Sequence, residues 1–151
     1  RSSLLSGKLR GGKLSERDKK QVAARDKLLN KSKLKSDYSI FRGIQSNKPL
    51  RPGELIEDKG FTSWSVMPNQ AEGYGITGTF TGRTLGTVLM MRVKRGEHYL
   101  PLKGPMRAGV GMSDREILHP RNAKWRVVKT FKHKESTFGS PYVLVERILG
   151  N

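Results

Sequence analysis

Two acidic side chains, Asp114 and Glu116, are two positions apart at the start of a short apolar segment, residues 116–119. Side chains of a strand alternate between its faces, so the spacing predicts two carboxylates side by side at the end of a strand. Two such carboxylates can perform acid–base chemistry. By itself, however, this pair is typical of a solvated strand edge.

An arginine followed by a glycine ends an earlier predicted strand. Arg42 closes the segment 38–42, and Gly43 follows it directly. An arginine at this place can hold a phosphate through two parallel hydrogen bonds, and a glycine lets a ligand approach the backbone closely. The dipeptide alone is common in proteins that bind no phosphate.

The segment 60–65, Gly-Phe-Thr-Ser-Trp-Ser, predicts another short strand. Alternation places Phe61, Ser63 and Ser65 on one face and Trp64 on the other. Two hydroxyl groups therefore share a face. This arrangement gains functional meaning only together with the arginine and the acidic pair.

The composition bounds the classes of protein to which the chain can belong. The 151 residues suffice for one ordinary domain, and 30 Lys and Arg against 13 Asp and Glu give a formal charge of +17. Such a charge favours a polyanionic partner, usually nucleic acid. Without cysteine, disulfides and thiol nucleophiles are excluded. The three histidines lack metal-ligand spacing, so we predict no metal site. The longest apolar run, residues 88–91, is too short to cross a membrane, so we predict no membrane span.

The basic charge is concentrated toward the start of the chain, where residues 1–37 carry a net +8. We predict a flexible basic lead-in over residues 1–14 and a helix over 15–30, in which Ser15 and Asp18 form a capping box. This basic run is either the solvated face of a surface helix or an arm that binds the phosphates of a nucleic acid. Residues 15–151 are predicted to form a single domain.

Residues 38–149 are predicted to form a strand-rich core. A short helix over residues 69–74 follows Pro68, and a glycine-punctuated loop follows over 75–86. The absence of a regular strand–helix alternation favours an α+β fold with mainly antiparallel strands. Besides 38–42 and 60–65, the predicted strands are 87–94, 97–102, 116–119, 124–132 and 142–149.

Together these motifs resemble the mono-ADP-ribosyltransferases of the Arg–Ser–Glu class, which occur among bacterial toxins and phage proteins. The strand-end arginine motif of the family is matched by residues 38–43, and its Phe-x-Ser-x-Ser strand by 61–65, with Trp64 where threonine is usual. The acidic motif and its following Leu-x-Pro-Arg segment are matched by 114–127. The resemblance implies a split sandwich of two small, mainly antiparallel sheets with an N-terminal basic helix.

The resemblance also implies that NAD is the co-substrate and that its nicotinamide–ribose bond is cleaved. Glu116 is then the catalytic carboxylate against the ribose, where positive charge develops, and Ser63 orients it. Asp114 is the second catalytic acid. Many relatives have Glu or Gln at this position. Because this chain has Asp114 instead, the resemblance does not imply that its acceptor is an arginine.

The remaining implied contacts concern NAD binding. Arg42 holds the pyrophosphate, the backbone at Gly43 meets the nicotinamide amide, and Ser65 belongs to the same binding motif. Tyr74 either packs on the nicotinamide or faces the core as an ordinary helix residue. The implied reaction needs no metal.

The acceptor of ADP-ribose is open at this point. RNA is favoured over a protein side chain because of the charge of +17, and a non-catalytic nucleic-acid-binding module is the second alternative. An acidic immunity or inhibitor protein is a further expected partner by analogy with the family. We expect action in the cytoplasm, as the toxin domain of a larger bacterial effector, without membrane contact.

Overall fold

The computed structural model describes residues 8–46, 48–76, 85–103, 115–136 and 139–149. Besides a helical turn at residues 8–11, these ranges contain the helices α1 (Glu16–Lys31) and α2 (Pro68–Ile76). Eight strands join them: β1 (Tyr38–Ser46), β2 (Leu55–Asp58), β3 (Thr62–Ser65), β4 (Leu85–Val93), β5 (Leu100–Lys103), β6 (Arg115–His119), β7 (Ala123–Phe131) and β8 (Tyr142–Arg147).

The strands hydrogen-bond in the order β2-β7-β8-β4-β1-β3-β6-β5. Among these described strands only β4 and β8 pair in parallel, which confirms the prediction of an α+β fold with mainly antiparallel strands. The predicted division into two halves lies between β1 and β3, which share the single opposed pair Phe41 and Ser65. Hydrogen bonding therefore continues through this seam and makes one eight-stranded sheet.

The two halves of the sheet fold face to face and enclose the main core. Trp64 of β3 and Trp125 of β7 are separated by three strands in the sheet order, yet their ring centroids are 5.6 Å apart. Both indoles are almost fully buried, and Ile40, Met91 and other apolar side chains fill the space around them. Burying apolar residues on facing sheet surfaces is what stabilises a sandwich.

Each helix covers an outer face of one half. Helix α1 packs Val22 and Leu29 against Leu118 on β6 and against Phe61, the residue before β3. Its first turn has the predicted capping box. The Ser15 hydroxyl accepts from the Asp18 backbone N–H at 3.1 Å, and Asp18 accepts from the Ser15 N–H at 3.0 Å.

Helix α2 covers the other half. Ala71 of α2 lies with Phe41, Val88 and Tyr142 in a separate buried cluster. The buried carboxylate of Glu72 accepts hydrogen bonds from the Tyr142 hydroxyl at 3.0 Å and from the Ser136 hydroxyl at 2.7 Å. These bonds fix α2 to the start of β8 and to the segment that precedes it.

Strand β2 has no counterpart in the sequence prediction. A turn precedes it, closed by a hydrogen bond of 3.1 Å from the Glu54 N–H to the Arg51 carbonyl, with Gly53 at φ +90°. The strand has only four residues and pairs at the edge with β7, 65 or more positions later in the chain. So short a polar-alternating segment is a strand only because β7 supplies a partner.

Strand β1 does not end at Arg42 as predicted but continues through Gly43 to Ser46, because β4 pairs with it over this whole length. Strand β5 begins at Leu100, three residues later than predicted, because residues 95–97 form a turn with Gly96 at φ +90°. Part of the predicted lead-in is attached to the domain: residues 8–11 are helical, and Lys8 and Arg10 each form a 2.8 Å ion pair, with Asp18 and Asp58 respectively. Residues 1–7 and most of the predicted loop 75–86 lie outside the described residues.

Candidate active site

Three side chains predicted from separate motifs meet where the two halves of the sheet join. The Ser63 hydroxyl donates a hydrogen bond of 3.2 Å to Glu116 Oε2. The Arg42 guanidinium donates through Nη1 to the Ser63 backbone carbonyl at 2.9 Å. The structure therefore brings together Arg42, Ser63 and Glu116.

The order of the strands explains this meeting. Strand β3 lies between β1 and β6, so its serines are flanked by the arginine on one side and the glutamate on the other. Ser65 stands directly opposite Glu116, and Ser63 is on the same face two residues away. The predicted alternation of β3 is correct: the Trp64 indole points into the core, where its N–H donates to Thr62 Oγ1 at 2.9 Å.

These residues line a cavity of about 360 Å³ at the seam. Its wall combines a cation, a carboxylate, hydroxyl groups and apolar surface, and is formed by Phe41, Arg42, Gly43, Ser63, Trp64, Ser65, Ala71 and Glu116. Gly43 contributes no side chain to this wall, which is what a close approach to the backbone needs.

The electrostatic environment of Arg42 is unusual for an arginine. Burial lowers the pKa of the Arg42 guanidinium, the charge of Asp58 raises it, and the charge of Arg10 lowers it. An arginine remains protonated even so. It donates one hydrogen bond to Ser63, and a guanidinium has five N–H groups, so it has donors left for an anion.

A second, larger cavity of about 630 Å³ shares Glu116 with the first. Lys33 and Lys35, from the segment between α1 and β1, line it together with Tyr38 and Leu102. The carboxylate of Glu116 therefore stands between two cavities, of which one holds Arg42 and the other two lysines.

The other predicted site residues are placed as follows. The Ser65 hydroxyl donates to Gln70 Oε1 and accepts from the Met67 N–H, both at 2.9 Å, and so fixes the entry into α2. Tyr74 lies in α2, but its side chain is outside the described part of the structure, and Asp114 is outside it altogether.

Sequence reasoning did not single out Arg25 of α1. Its guanidinium lies over the Phe61 ring, 5.7 Å from the centroid, and its buried Nη1 has no hydrogen-bond partner among the described residues. Phe61 is on the face of β3 that carries Ser63. The spacing of Val22, Arg25 and Leu29 on one stripe of the helix was the available signal.

The described residue ranges contain no group of three or more His, Asp or Glu side chains that could hold a metal ion. Within the same ranges, no helix is both long enough and apolar enough to cross a membrane.

No protein-family model and no curated protein sequence matches the chain. Solved structures do match. C3larvin, an ADP-ribosyltransferase toxin of Paenibacillus larvae, is 19% identical with a TM-score of 0.63, over 99% of this chain and 82% of its own. The ADP-ribosyltransferase Vis, solved with agmatine, is 20% identical with a TM-score of 0.68, over 98% and 68%.

Exoenzyme S of Pseudomonas aeruginosa, solved with human 14-3-3 protein beta and carba-NAD, is 18% identical with a TM-score of 0.60, over 95% of this chain and 65% of its own. The three likenesses extend over nearly the whole chain. They show that this chain has the fold of the bacterial ADP-ribosyltransferase toxins.

Proposed function

We propose that the protein is an NAD-dependent mono-ADP-ribosyltransferase, with residues 15–151 as its catalytic domain. The observation that carries the proposal is the hydrogen bond between Ser63 and Glu116 in a cavity that also contains Arg42. The family resemblance implies this chemistry for these residues, and they lie on a fold that ADP-ribosyltransferase toxins share. Exoenzyme S is solved with an NAD analogue, carba-NAD.

The residues at the cavity suit the groups of NAD. The Arg42 guanidinium offers N–H donors to the pyrophosphate, which carries negative charge. The half-buried backbone at Gly43, which carries no side chain, accommodates the nicotinamide amide. The carboxylate of Glu116 faces the ribose, and the Ser63 hydroxyl holds that carboxylate in one orientation. Ser65 lines the same cavity and is assigned to the site with them, and we assign Tyr74 and Asp114 to the site on the family resemblance alone.

The chemistry follows from this placement. When the nicotinamide–ribose bond breaks, its electron pair leaves with nicotinamide, and positive charge develops on the ribose. A carboxylate fixed beside the sugar stabilises that charge more in the transition state than in the ground state. The acceptor nucleophile then bonds to the anomeric carbon, and its proton passes to a base, for which Asp114 is the candidate.

For the acceptor we propose RNA. The cavity on the other side of Glu116 has Lys33 and Lys35 in its wall, and the chain has a charge of +17. Positive potential beside a site concentrates phosphate polyanions there. A protein side chain is the alternative acceptor, and Vis, which is solved with the guanidinium compound agmatine, favours it.

As part of a larger toxin the domain would act in the cytoplasm of a target cell, and an acidic immunity protein would suit its charge.

Release of free nicotinamide from NAD, measured without any acceptor, tests the enzymatic proposal. Glu116→Gln keeps the shape of the side chain and removes its charge, and we expect the rate to fall roughly 100-fold or more. Glu57→Gln is the matched control because Glu57 is exposed on β2 and forms a 3.7 Å surface ion pair with Lys124. Equal rates for Glu116→Gln and the unmodified protein would defeat the assignment. RNA binding without any NAD turnover would support a non-catalytic nucleic-acid-binding module.

The acceptor needs a separate experiment. The protein is incubated with labelled NAD and a cell extract, and the product is treated with ribonuclease or with protease. We expect ribonuclease to remove the label. Label that resists ribonuclease and disappears with protease identifies a protein acceptor instead.

A further inference from the structure

A basic groove lies on the outer face of the sheet, away from Glu116. It has a volume of about 390 Å³, and its walls come from β4, β7, β8 and the segment after β7. The cations in its walls are Arg92, Lys129, Lys132 and Lys134, and among the described lining residues Glu135 alone is acidic. This excess of positive charge is concentrated in one concave site.

A β-bulge in β7 places one of these cations in the groove. The register of β7 against β8 pairs Val127 with Val145 and then Lys129 with Leu144, so Val128 is the extra residue. Without the bulge, alternation would set Val128 opposite Leu144. The bulge therefore places Lys129 on the face that carries Leu144 of β8 and Met90 of β4, which are directly opposed.

Aromatic rings line the groove between the cations. Phe131 and His133 are both half-buried in its wall, with ring centroids 6.2 Å apart. His133 stacks on the buried ring of Tyr142 at 4.9 Å, which holds the imidazole in place. A groove that combines cations with ring faces is typical of proteins that bind single-stranded nucleic acid, because phosphates meet the cations and bases stack on the rings.

One row of directly opposed residues connects the groove to the active site. From Lys129 it passes through Leu144, Met90 and Phe41 to Ser65, and Glu116 stands opposite Ser65. The row therefore takes five steps between neighbouring strands. At about 4.8 Å a step, the path along the sheet is about 24 Å.

The middle of this row is buried, because α2 packs Ala71 against Phe41, but the surface beside it is concave. A cavity of about 420 Å³ shares His133 and Met90 with the basic groove and Phe41 with the cavity of Glu116. The carboxylates of Asp37 and Glu135 also line it. The Asp37 carboxylate accepts a 2.7 Å hydrogen bond from the Arg95 backbone N–H.

From this arrangement we infer that the basic groove binds the phosphate backbone of single-stranded RNA and directs the strand through the adjoining concave surface toward Glu116. The inference rests on the proposed function, because it assigns the docking site of the acceptor. Charge complementarity selects a polyanion, and the half-buried rings between the cations select nucleic acid over an acidic protein.

The test measures binding of a fluorescently labelled single-stranded oligouridylate by anisotropy, without NAD, at several salt concentrations. In the variant Arg92→Gln/Lys129→Gln/Lys132→Gln we expect at least tenfold weaker binding. Loss of three phosphate contacts should also reduce the slope of log affinity against log salt by about 2. The double variant Lys132→Gln/Lys134→Gln, outside the strands, provides the same comparison if the triple variant does not fold.

The control variant Lys20→Gln/Lys27→Gln/Lys31→Gln removes the same charge from exposed positions of α1 and should retain the affinity. Equal weakening in this control would overturn the inference, because the charge of the whole protein would then explain binding. Unchanged affinity in the groove variants would also overturn it. Tighter binding of polyglutamate than of RNA, with loss of the polyglutamate binding in the groove variants, would also overturn the inference. The partner would then be an acidic protein. Nicotinamide release without RNA should stay unchanged in every groove variant, which separates failure of this inference from failure of the proposed activity.

Discussion

Ser63 and Glu116 lie 53 positions apart in the chain, and the Ser63 hydroxyl donates a 3.2 Å hydrogen bond to Glu116 Oε2. A carboxylate with a fixed donor on one oxygen has fewer orientations available. The second serine of the same strand face, Ser65, stands opposite Glu116, but its hydroxyl is hydrogen-bonded to the start of α2. The Ser63 hydroxyl therefore orients the Glu116 carboxylate, whereas the Ser65 hydroxyl fixes the start of α2.

Ser63→Ala and Ser65→Ala should separate catalysis from stability. We expect Ser63→Ala to reduce nicotinamide release roughly tenfold with little change in the Tm, because it frees the Glu116 carboxylate. Ser65→Ala should lower the free energy of unfolding by about 1–2 kcal/mol, since it leaves the Met67 N–H and Gln70 without their partner. Nicotinamide assays and thermal unfolding of both variants measure this. The reverse pattern would contradict the assignment of Ser63.

Arg42→Lys tests whether the guanidinium binds NAD. The variant keeps the positive charge but loses the planar fork that holds two phosphate oxygens, so kcat/KM for NAD should fall about 10- to 100-fold. Arg126→Lys is the matched control, because its 3.7 Å ion pair with Glu146 is exposed and contributes about 0–1 kcal/mol. A fall in Tm that fully accounts for the lost activity would instead assign Arg42 to the seam, where it donates to Ser63.

The sequence was most informative where local patterns determine structure. Ser15 and Asp18 predicted the start of α1, and alternation predicted the faces of β3, because capping and strand pleat depend on neighbouring residues. The family resemblance also implied that Arg42, Ser63 and Glu116 serve one site, and the three line one cavity.

Features that depend on distant partners could not be read in this way. Strand β2 exists through its pairing with β7, and the position of Lys129 depends on a bulge defined only by the register against β8. The aromatic residues are dispersed along the chain, and the fold gathers Phe41, Phe131 and Tyr142 around His133. Register between strands of large sequence separation is set by packing of the whole sheet.

Tyr142→Phe should destabilise the attachment of α2. The Glu72 carboxylate is buried, and the Tyr142 hydroxyl donates one of its hydrogen bonds. Burial and this contact with Glu72 raise the pKa of Tyr142, so the hydroxyl keeps its proton. Removing it should lower the free energy of unfolding by about 1–3 kcal/mol in denaturant titrations. An unchanged value would show that other donors fully satisfy Glu72.

His119 should make the fold sensitive to acid. The side chain is fully buried between Trp64 and Trp125, and burial lowers its pKa from 6.5 to about 3. Its Nδ1 donates to the Pro120 carbonyl at 2.8 Å, and Nε2 accepts from the Trp125 indole at 3.1 Å, so the neutral imidazole is fully hydrogen-bonded.

The sign of the pH effect follows from the two pKa values. Between pH 6.5 and about 3 the unfolded chain binds a proton at His119 that the folded chain does not, so stability is complete above pH 6.5 and falls as the pH is lowered. The slope approaches about 1.4 kcal/mol per pH unit once the unfolded histidine is protonated. His119→Gln should lose this slope between about pH 6 and 5, whereas the exposed control His98→Gln should keep it. Urea titrations across this range measure both, and a His119→Gln variant with the full slope would show that another group causes the acid sensitivity.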